Sequence, residues 1–148
     1  IVDVSHLSDA GFMDVLRVSK KPFVASHSNA RSVCGWVRNL TDDMIRLLAE
    51  KGGVTGLNFC PAFLTDVPDG EATYGSIDAI VEHIVKVGGI DCLGLGTDFD
   101  GIKTHDELPD ASCMPLLVNA FEKGGFRASE MDKILSGNVL RVYKEVLG

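Results

Sequence analysis

Short apolar runs rich in β-branched residues alternate along the chain with amphipathic segments whose apolar residues recur at helical spacing. This alternation predicts parallel strands joined by helical crossovers, in one α/β domain over residues 1–148. The predicted strands are 1–4, 22–26, 54–59 and 90–96. The predicted helices are 8–20, 41–51, 76–87, 114–122, 129–135 and 139–147.

Several helix boundaries carry explicit sequence signals. Ser8 and Thr41 are good N-caps, because their hydroxyls can accept from free amides of the first turn. Gly52 and Gly53 end the second helix. Asn138 is expected to break the last two helices apart, and Asp69-Gly70 predicts a turn in the loop 60–74.

Two architectures fit four alternating strands: a small doubly wound sheet or half of an eight-stranded TIM barrel. Gly94-Leu95-Gly96 lies within a predicted strand and does not open a helix, so it does not read as a phosphate-binding loop. Polar residues also follow at least three of the strands, whereas an open sheet concentrates its ligand at one switch point. The half barrel is therefore favoured.

The charge balance bears on partners. The formal net charge is −7 and no basic run occurs, so nucleic acid is not expected as a partner.

No apolar run approaches the roughly 20 residues that cross a bilayer. The first residue is Ile and lies within a predicted strand, which is typical of a fragment or a processed product.

The chain has four cysteines and none of them forms a CxxC pair, so a zinc finger or thioredoxin-type site is not expected. They are Cys34, Cys60, Cys92 and Cys113. We expect reduced thiols in a cytoplasmic protein, because disulfides persist mainly in oxidising compartments.

Three chemistry-bearing residues follow predicted strands. His6 and His27 lie 21 residues apart, about one strand–helix unit, and Asp98 follows the last strand. In a barrel, side chains at the carboxyl ends of strands form the site, and two imidazoles with a carboxylate suit metal-assisted hydrolysis. The alternatives are structural histidines beside loops and an aspartate that caps a turn.

Other candidates carry weaker signals. Arg38 is suited to pairing with a carboxylate, but it could equally be a solvated surface arginine. Trp36 and Phe63 could line a pocket or serve packing. His83 and His105 are assigned to structure or surface.

Ordered motifs along nearly all 148 residues resemble the membrane dipeptidase (renal dipeptidase) family of zinc peptidases. The matching segments are Asp3-Val4-Ser5-His6, Ala25-Ser26-His27-Ser28-Asn29-Ala30, Arg38-Asn39-Leu40-Thr41-Asp42, Gly96-Thr97-Asp98-Phe99-Asp100-Gly101, Leu108-Pro109-Asp110 and Gly137-Asn138-Val139-Leu140-Arg141-Val142. The resemblance implies the carboxyl-terminal half of a (β/α)8 TIM barrel of the metal-dependent hydrolase type, and a hydrolase active in proteolysis.

The resemblance also implies roles for individual residues. His6 and His27 resemble ligands of one of the family's two zinc ions. Asp98 resembles its acid/base residue, and Arg38 the partner of the substrate's terminal carboxylate. Phe63 stands where some members have a tyrosine near the substrate. The family hydrolyses dipeptides, and some members accept a D-residue at the carboxyl-terminal position or open β-lactams.

This chain departs from the family pattern in one large respect. The family's His-x-Asp pair, its metal-bridging Glu and a substrate-binding His lie upstream of the matched region, and no His-x-Asp occurs here. The chain alone is therefore predicted to be a poor dipeptidase that pairs with the missing amino-terminal half or with another copy. An inactive binding module and another metal-dependent amidohydrolase are the alternatives.

Overall fold

The structure is a computed structural model that describes residues 1–66, 74–104 and 107–148. Three strands, β1 (Val24–Ala25), β2 (Val54–Leu57) and β3 (Leu93–Leu95), form a parallel sheet in the order β1-β2-β3. The helices described are α1 (Asp9–Val18), α2 (Asp42–Glu50), α3 (Pro61–Leu64), α4 (Tyr74–Gly88), α5 (Met114–Lys123), α6 (Ala128–Asp132) and α7 (Asn138–Leu147). The predicted parallel α/β architecture is confirmed.

The prediction of a full strand at residues 1–4 was wrong in extent. The segment lies parallel to β1 and joins it through one bridge, Asp3 to Val24, with the Val4 amide donating to the Val24 carbonyl at 2.8 Å. Its partner β1 is only two residues long, so the pairing cannot extend. Ile1 and Val2 remain 43% and 47% exposed on the outer edge.

The predicted strands 54–59 and 90–96 are also shorter in the structure. Residues Ile90–Cys92 form a 3₁₀ turn before β3, and Asn58 leaves the ladder after β2. The strands are short because their ends turn into the segments that carry the site. The predicted turn at Asp69-Gly70 and the residue His105 lie outside the described part of the chain.

The core lies where helices cover the sheet. Helix α4 buries the apolar face predicted from its spacing, and α2 packs against both α4 and β2. Phe12 of α1 and Phe23 meet edge to face, with ring centroids 5.6 Å apart. Fully buried side chains in this core include Ile45, Leu48, Leu57, Phe59, Ile80, Ile84, Leu93 and Phe121. This burial holds the strands in a rigid frame.

The carboxyl-terminal helices differ from the prediction. Asn138 does not break them: α6 passes through a π-helical turn, Lys133–Gly137, directly into α7. The buried Asn138 amide donates to the carbonyls of Ile90 and Leu93 at 2.8 and 2.7 Å, so it ties the helix to the start of β3. Asn138, which the sequence predicted to break the helix, therefore makes a tertiary contact within a continuous helix.

Helix α7 crosses the amino-terminal end of the sheet. The Arg141 guanidinium donates to the carbonyls of Gly52 and Asp91, which precede β2 and β3. Lys21, which precedes β1, donates to the Val146 carbonyl at 3.0 Å. The predicted site residues lie at the opposite end of the sheet, where the strands end. No helix described here is long and apolar enough to cross a membrane.

We expect Thr41→Ala to lower the free energy of unfolding by about 1 kcal/mol, because the Thr41 hydroxyl accepts from the Met44 amide at the start of α2. Urea denaturation measures this change. The matched control is Ser129→Ala, an exposed hydroxyl within α6. Equal destabilisation by both variants would contradict the capping role.

Candidate functional site

The candidate site lies at the carboxyl ends of the strands. His6 follows the extended segment at the sheet edge, His27 follows β1, Asn58 follows β2, and Asp98 comes three residues after β3. Because the strands are parallel, all four residues reach the same edge of the sheet. The frame thus brings together side chains that are far apart in sequence.

The two histidines face each other through the same ring atom. Their Nε2 atoms lie 2.8 Å apart and their ring centroids 4.8 Å apart, with His6 exposed and His27 partly buried. Zinc–nitrogen bonds of about 2.0–2.1 Å require two ligating nitrogens to lie within about 4.2 Å of each other. The separation is within this limit, but it is a hydrogen-bond contact and is shorter than the roughly 3.3–3.4 Å between two nitrogens on tetrahedral zinc. The two rings can therefore reach a shared cation once they move apart by about 0.5 Å.

The Asp3 carboxylate and the Ser26 hydroxyl support His27 from behind. Ser26 Oγ lies 2.5 Å from Asp3 Oδ2 and 2.7 Å from His27 Nδ1. Burial tends to raise the pKa of Asp3, but hydrogen bonds from Ser26 and Ser5 outweigh it and leave this pKa below its ordinary value. The carboxyl is therefore ionised near neutral pH and only accepts.

Burial is also the main reason that the pKa of His27 is lowered. The carboxylates of Asp98 and Asp3 oppose this shift, while His6 and Arg38 add to it. Neutral imidazole is the form that binds metals, so the environment of His27 favours its ligating state.

Asp98 adopts a backbone conformation that is rare for its type. Its φ of 61° is the only positive value among the described non-glycine residues. The Gly101 amide donates to its carbonyl at 2.9 Å, and the Asn58 side-chain amide donates to its Oδ2 at 3.2 Å. Such conformations persist only where the surroundings hold them, and they concentrate at functional sites.

Three fully buried asparagines connect the parts of the site. Asn58 donates to the His27 carbonyl as well as to Asp98. Asn29 accepts from the Asn58 amide and donates to the carbonyls of Asn58 and Phe63. Asn39 also donates to the Phe63 carbonyl, at 3.0 Å. The network joins the histidine end of the site to the loop that carries Phe63.

Arg38 and Phe63 come together beside this network. The Arg38 guanidinium carbon lies 5.6 Å from the centre of the Phe63 ring, and the Trp36 ring centroid lies 6.1 Å from that of Phe63. Cation–π stacking holds a guanidinium in place while its N–H groups stay available for a ligand. All five predicted site residues are thus placed at one end of the fold.

His83 lies apart from this site. Its Nε2 is 2.8 Å from an Asp42 carboxylate oxygen, which links α4 to α2 and lowers the pKa of Asp42. Within residues 1–66, 74–104 and 107–148, no group of three or more His, Cys, Asp and Glu side chains could hold a metal ion. His6 and His27 are thus two candidate metal donors, one fewer than the three protein ligands that catalytic zinc normally takes.

Sequence reasoning missed the residues that support the site. Asn58 fell inside a predicted strand, so it was not recognised as a polar residue at a strand end. Asp3 and Ser26 lie in the motifs that contain His6 and His27, but nothing in those motifs predicts that the two side chains bond to each other. Asn29 and Asn39 gave no periodic signal, because loop residues acquire partners only through the fold.

We expect Asn29→Ala to lower the free energy of unfolding by about 2 kcal/mol, because the buried backbone amide and carbonyl of Asn58 each lose a hydrogen-bond partner. The Phe63 carbonyl loses one of its two donors and keeps Asn39. Thermal or urea denaturation measures this loss. Asn119→Ala on α5 is the control for removing an asparagine elsewhere. If Asn29→Ala were no more destabilising than that control, the network would not stabilise the loop.

Comparison with known proteins gives matches over almost the whole chain. The chain is 39% identical over 147 residues to an uncharacterized protein in the pqqA 5′ region of Klebsiella pneumoniae, covering 98% of this chain and 54% of that protein. It is 38% identical to the dipeptidase tcpJ of Claviceps purpurea, covering 99% of this chain and 34% of that protein. The chain thus spans between a third and about half of the length of these relatives.

A solved structure matches the fold closely. The metallopeptidase from Rhodobacter sphaeroides, liganded with a phosphinate mimic of the dipeptide L-Ala-D-Ala, superposes with a TM-score of 0.92 at 34% identity. The match covers 98% of this chain and 42% of that one, which agrees with the predicted partial barrel. A sequence model of the membrane dipeptidase family, peptidase family M19, matches residues 1–147, and the chain therefore belongs to this family of metallopeptidases.

Proposed function

We propose that this chain is the carboxyl-terminal, zinc-binding half of a (β/α)8 barrel dipeptidase, and that it is a poor enzyme by itself. The observation that carries the proposal is the convergence of the His6 and His27 Nε2 atoms at the strand ends, 2.8 Å apart. Family membership supports peptide hydrolysis, and the Rhodobacter sphaeroides relative, bound to a dipeptide mimic, supports a dipeptide substrate.

His6 and His27 hold the ion in this proposal, because nitrogen donors in this arrangement suit zinc. When bound, zinc supplies a Lewis acid that makes water a better nucleophile and stabilises negative charge on the carbonyl oxygen. The complete enzyme holds two such ions. This chain contributes ligands to one of them, and the remaining ligands come from outside it.

Arg38 binds the carboxylate at the end of the dipeptide, and Phe63 flanks it. The stacking of Arg38 on Phe63 fixes the guanidinium, which limits the substrate length that the site accepts. Because the chain has a net charge of −7, this local cation must outweigh a field that repels carboxylates.

Asp98 moves the proton. The water oxygen bonds to the peptide carbonyl carbon, and Asp98 accepts the proton that water gives up. The C–N bond then breaks, and Asp98 delivers this proton to the departing amine. Asn58 holds the Asp98 carboxylate by its hydrogen bond to Oδ2.

The partner of this chain is the amino-terminal half of the barrel. Ile1 and Val2 are about half exposed on the free edge of the sheet, and Leu140, Tyr143 and Leu147 of α7 are also exposed. An open sheet edge and exposed apolar side chains each favour pairing with another chain. We further propose a cytoplasmic location, because Cys34, Cys60, Cys92 and Cys113 are all free thiols.

One experiment tests the function. We would co-express this chain with the part of the Rhodobacter sphaeroides metallopeptidase that lies outside the matched region, and we call this assembly the reconstituted protein. Hydrolysis of L-Ala-D-Ala and L-Ala-L-Ala is expected with zinc, and little is expected from the chain alone. Full activity of the chain alone would rule out its incompleteness.

The second candidate is an inactive binding module, which the lack of a third ligand in the described residues favours. A reconstituted protein that assembles and binds zinc but leaves both dipeptides intact would support this candidate and contradict the dipeptidase. Hydrolysis of amides or lactones in preference to dipeptides would instead point to another amidohydrolase.

A further inference from the structure

The hydrogen bonds behind His27 have a defined direction. Asp3 Oδ2 can only accept, so the Ser26 hydroxyl proton points at it across 2.5 Å. Ser26 Oγ has no second proton and must accept from His27 Nδ1, which lies 2.7 Å away. Nδ1 therefore carries the ring proton, and the Nε2 lone pair faces His6.

We propose that Asp3, acting through Ser26, is a positioning residue that holds His27 in the Nδ1–H tautomer and so leaves Nε2 free to bind a metal ion. The role in metal binding rests on the proposed function. The tautomer itself is a property of this chain and can be measured without metal. Partners behind the first ligands commonly orient metal-binding histidines in this way.

The frame around Asp3 and Ser26 is tightly constrained. Asp3 Oδ1 accepts from the backbone amides of Ser26 and Ser5 at 2.9 and 3.1 Å. A Cβ at Gly56 or Gly96 would lie about 2.0 Å from the Ser26 carbonyl oxygen, so only glycine allows this approach. Ser26 therefore has little freedom to turn away from Asp3.

His6 provides an internal contrast. Among the described residues, the ring of His6 is hydrogen-bonded only to His27, and the side chain is exposed. Its tautomer can therefore adjust when a metal ion arrives. His27 has no such freedom, which makes it the preorganised member of the pair.

Asp3→Asn is the sharpest test, because it changes the direction of the hydrogen bonds with little change in shape. The amide oxygen keeps the two backbone hydrogen bonds, and the amide nitrogen takes the place of Oδ2. This nitrogen donates to Ser26 Oγ, which turns the hydroxyl proton toward His27 Nδ1. The proton of His27 then moves to Nε2, the atom that must bind the metal.

The measurement is long-range ¹H–¹⁵N correlation on histidine-labelled, metal-free chain at about pH 8, where histidine is neutral. We expect His27 to be an Nδ1–H tautomer in the original chain and an Nε2–H tautomer in Asp3→Asn. Asp14→Asn, an exposed carboxylate of α1, is the matched control and should leave His27 unchanged. An unchanged tautomer in folded Asp3→Asn, or Nε2–H in the original chain, would overturn the inference.

Ser26→Ala is the second variant, and it decides the matter if Asp3→Asn does not fold. It leaves the backbone hydrogen bonds of Asp3 intact and removes the link to His27, so the tautomer preference should disappear. Retention of the original tautomer would refute the link.

Zinc binding can be followed by titration through the His27 resonances, and we expect Asp3→Asn to weaken the zinc affinity by roughly 10- to 100-fold. If the reconstituted protein with the original sequence did not hydrolyse dipeptides, the proposed function would be contradicted. The tautomer result would still hold, because it is measured on the metal-free chain.

Discussion

Asp98→Asn is expected to reduce kcat for dipeptide hydrolysis by the reconstituted protein by about 10²- to 10⁴-fold, with little change in KM. The amide cannot accept a proton from water or deliver one to the leaving amine. Binding of the substrate carboxylate, which we propose depends on Arg38, is not expected to change. Initial rates over a range of L-Ala-D-Ala concentrations separate the two parameters.

Asparagine is the right replacement because of the backbone at this position. Asp98 has a φ of 61°, a region that asparagine tolerates and alanine disfavours. The amide oxygen can still accept from Asn58, so the fold should be retained. Asp100→Asn, two residues away and exposed, is the control and should keep nearly full activity. A kcat for Asp98→Asn within a few fold of the original would show that Asp98 does not transfer the proton.

His27→Ala is expected to lower the zinc affinity of the reconstituted protein by more than about 100-fold, since even partners behind the first ligands change metal affinity by roughly 10- to 100-fold. The variant removes one of the two Nε2 donors, while His6 alone makes a weak monodentate contact. Zinc content after dialysis against a competing chelator measures the effect.

The control for His27→Ala is His83→Ala. This variant removes an imidazole that bonds to Asp42 away from the site. It should lower the stability somewhat but leave the zinc content unchanged. Full zinc content and full activity in His27→Ala would contradict the ligand role of His27. Equal zinc loss in both variants would point to general unfolding, which circular dichroism would reveal.

The helices were largely predictable from local chemistry. Ser8 and Thr41 cap α1 and α2 as expected, because capping involves residues only three positions apart. The buried face of α4 also follows from spacing alone. The strand ends were less predictable, since the pairing of a strand depends on a distant partner. The extended segment at residues 1–4 shows this, because it meets only a two-residue strand.

The candidate site was predictable in its main side chains but not in their support. His6, His27 and Asp98 follow strand ends, and strand ends in a parallel sheet share one edge. Arg38 and Phe63 were recognised through resemblance, and the fold stacks them together. The supporting roles of Asn29, Asn39 and Asn58 could not be predicted in the same way, because the hydrogen bonds that join them to one another and to Asp98 cross 10 to 40 positions of sequence.

The sequence by itself determined the alternation of strands and helices, the helix caps and the set of side chains available for metal chemistry. These properties depend on neighbours within one or two turns of chain. Only the tertiary structure decided which ring nitrogen of His27 carries the proton, because in our proposal that choice follows from a carboxylate 24 residues upstream acting through Ser26. Hydrogen-bond direction is set by which donors and acceptors the fold brings together, and no local pattern encodes it.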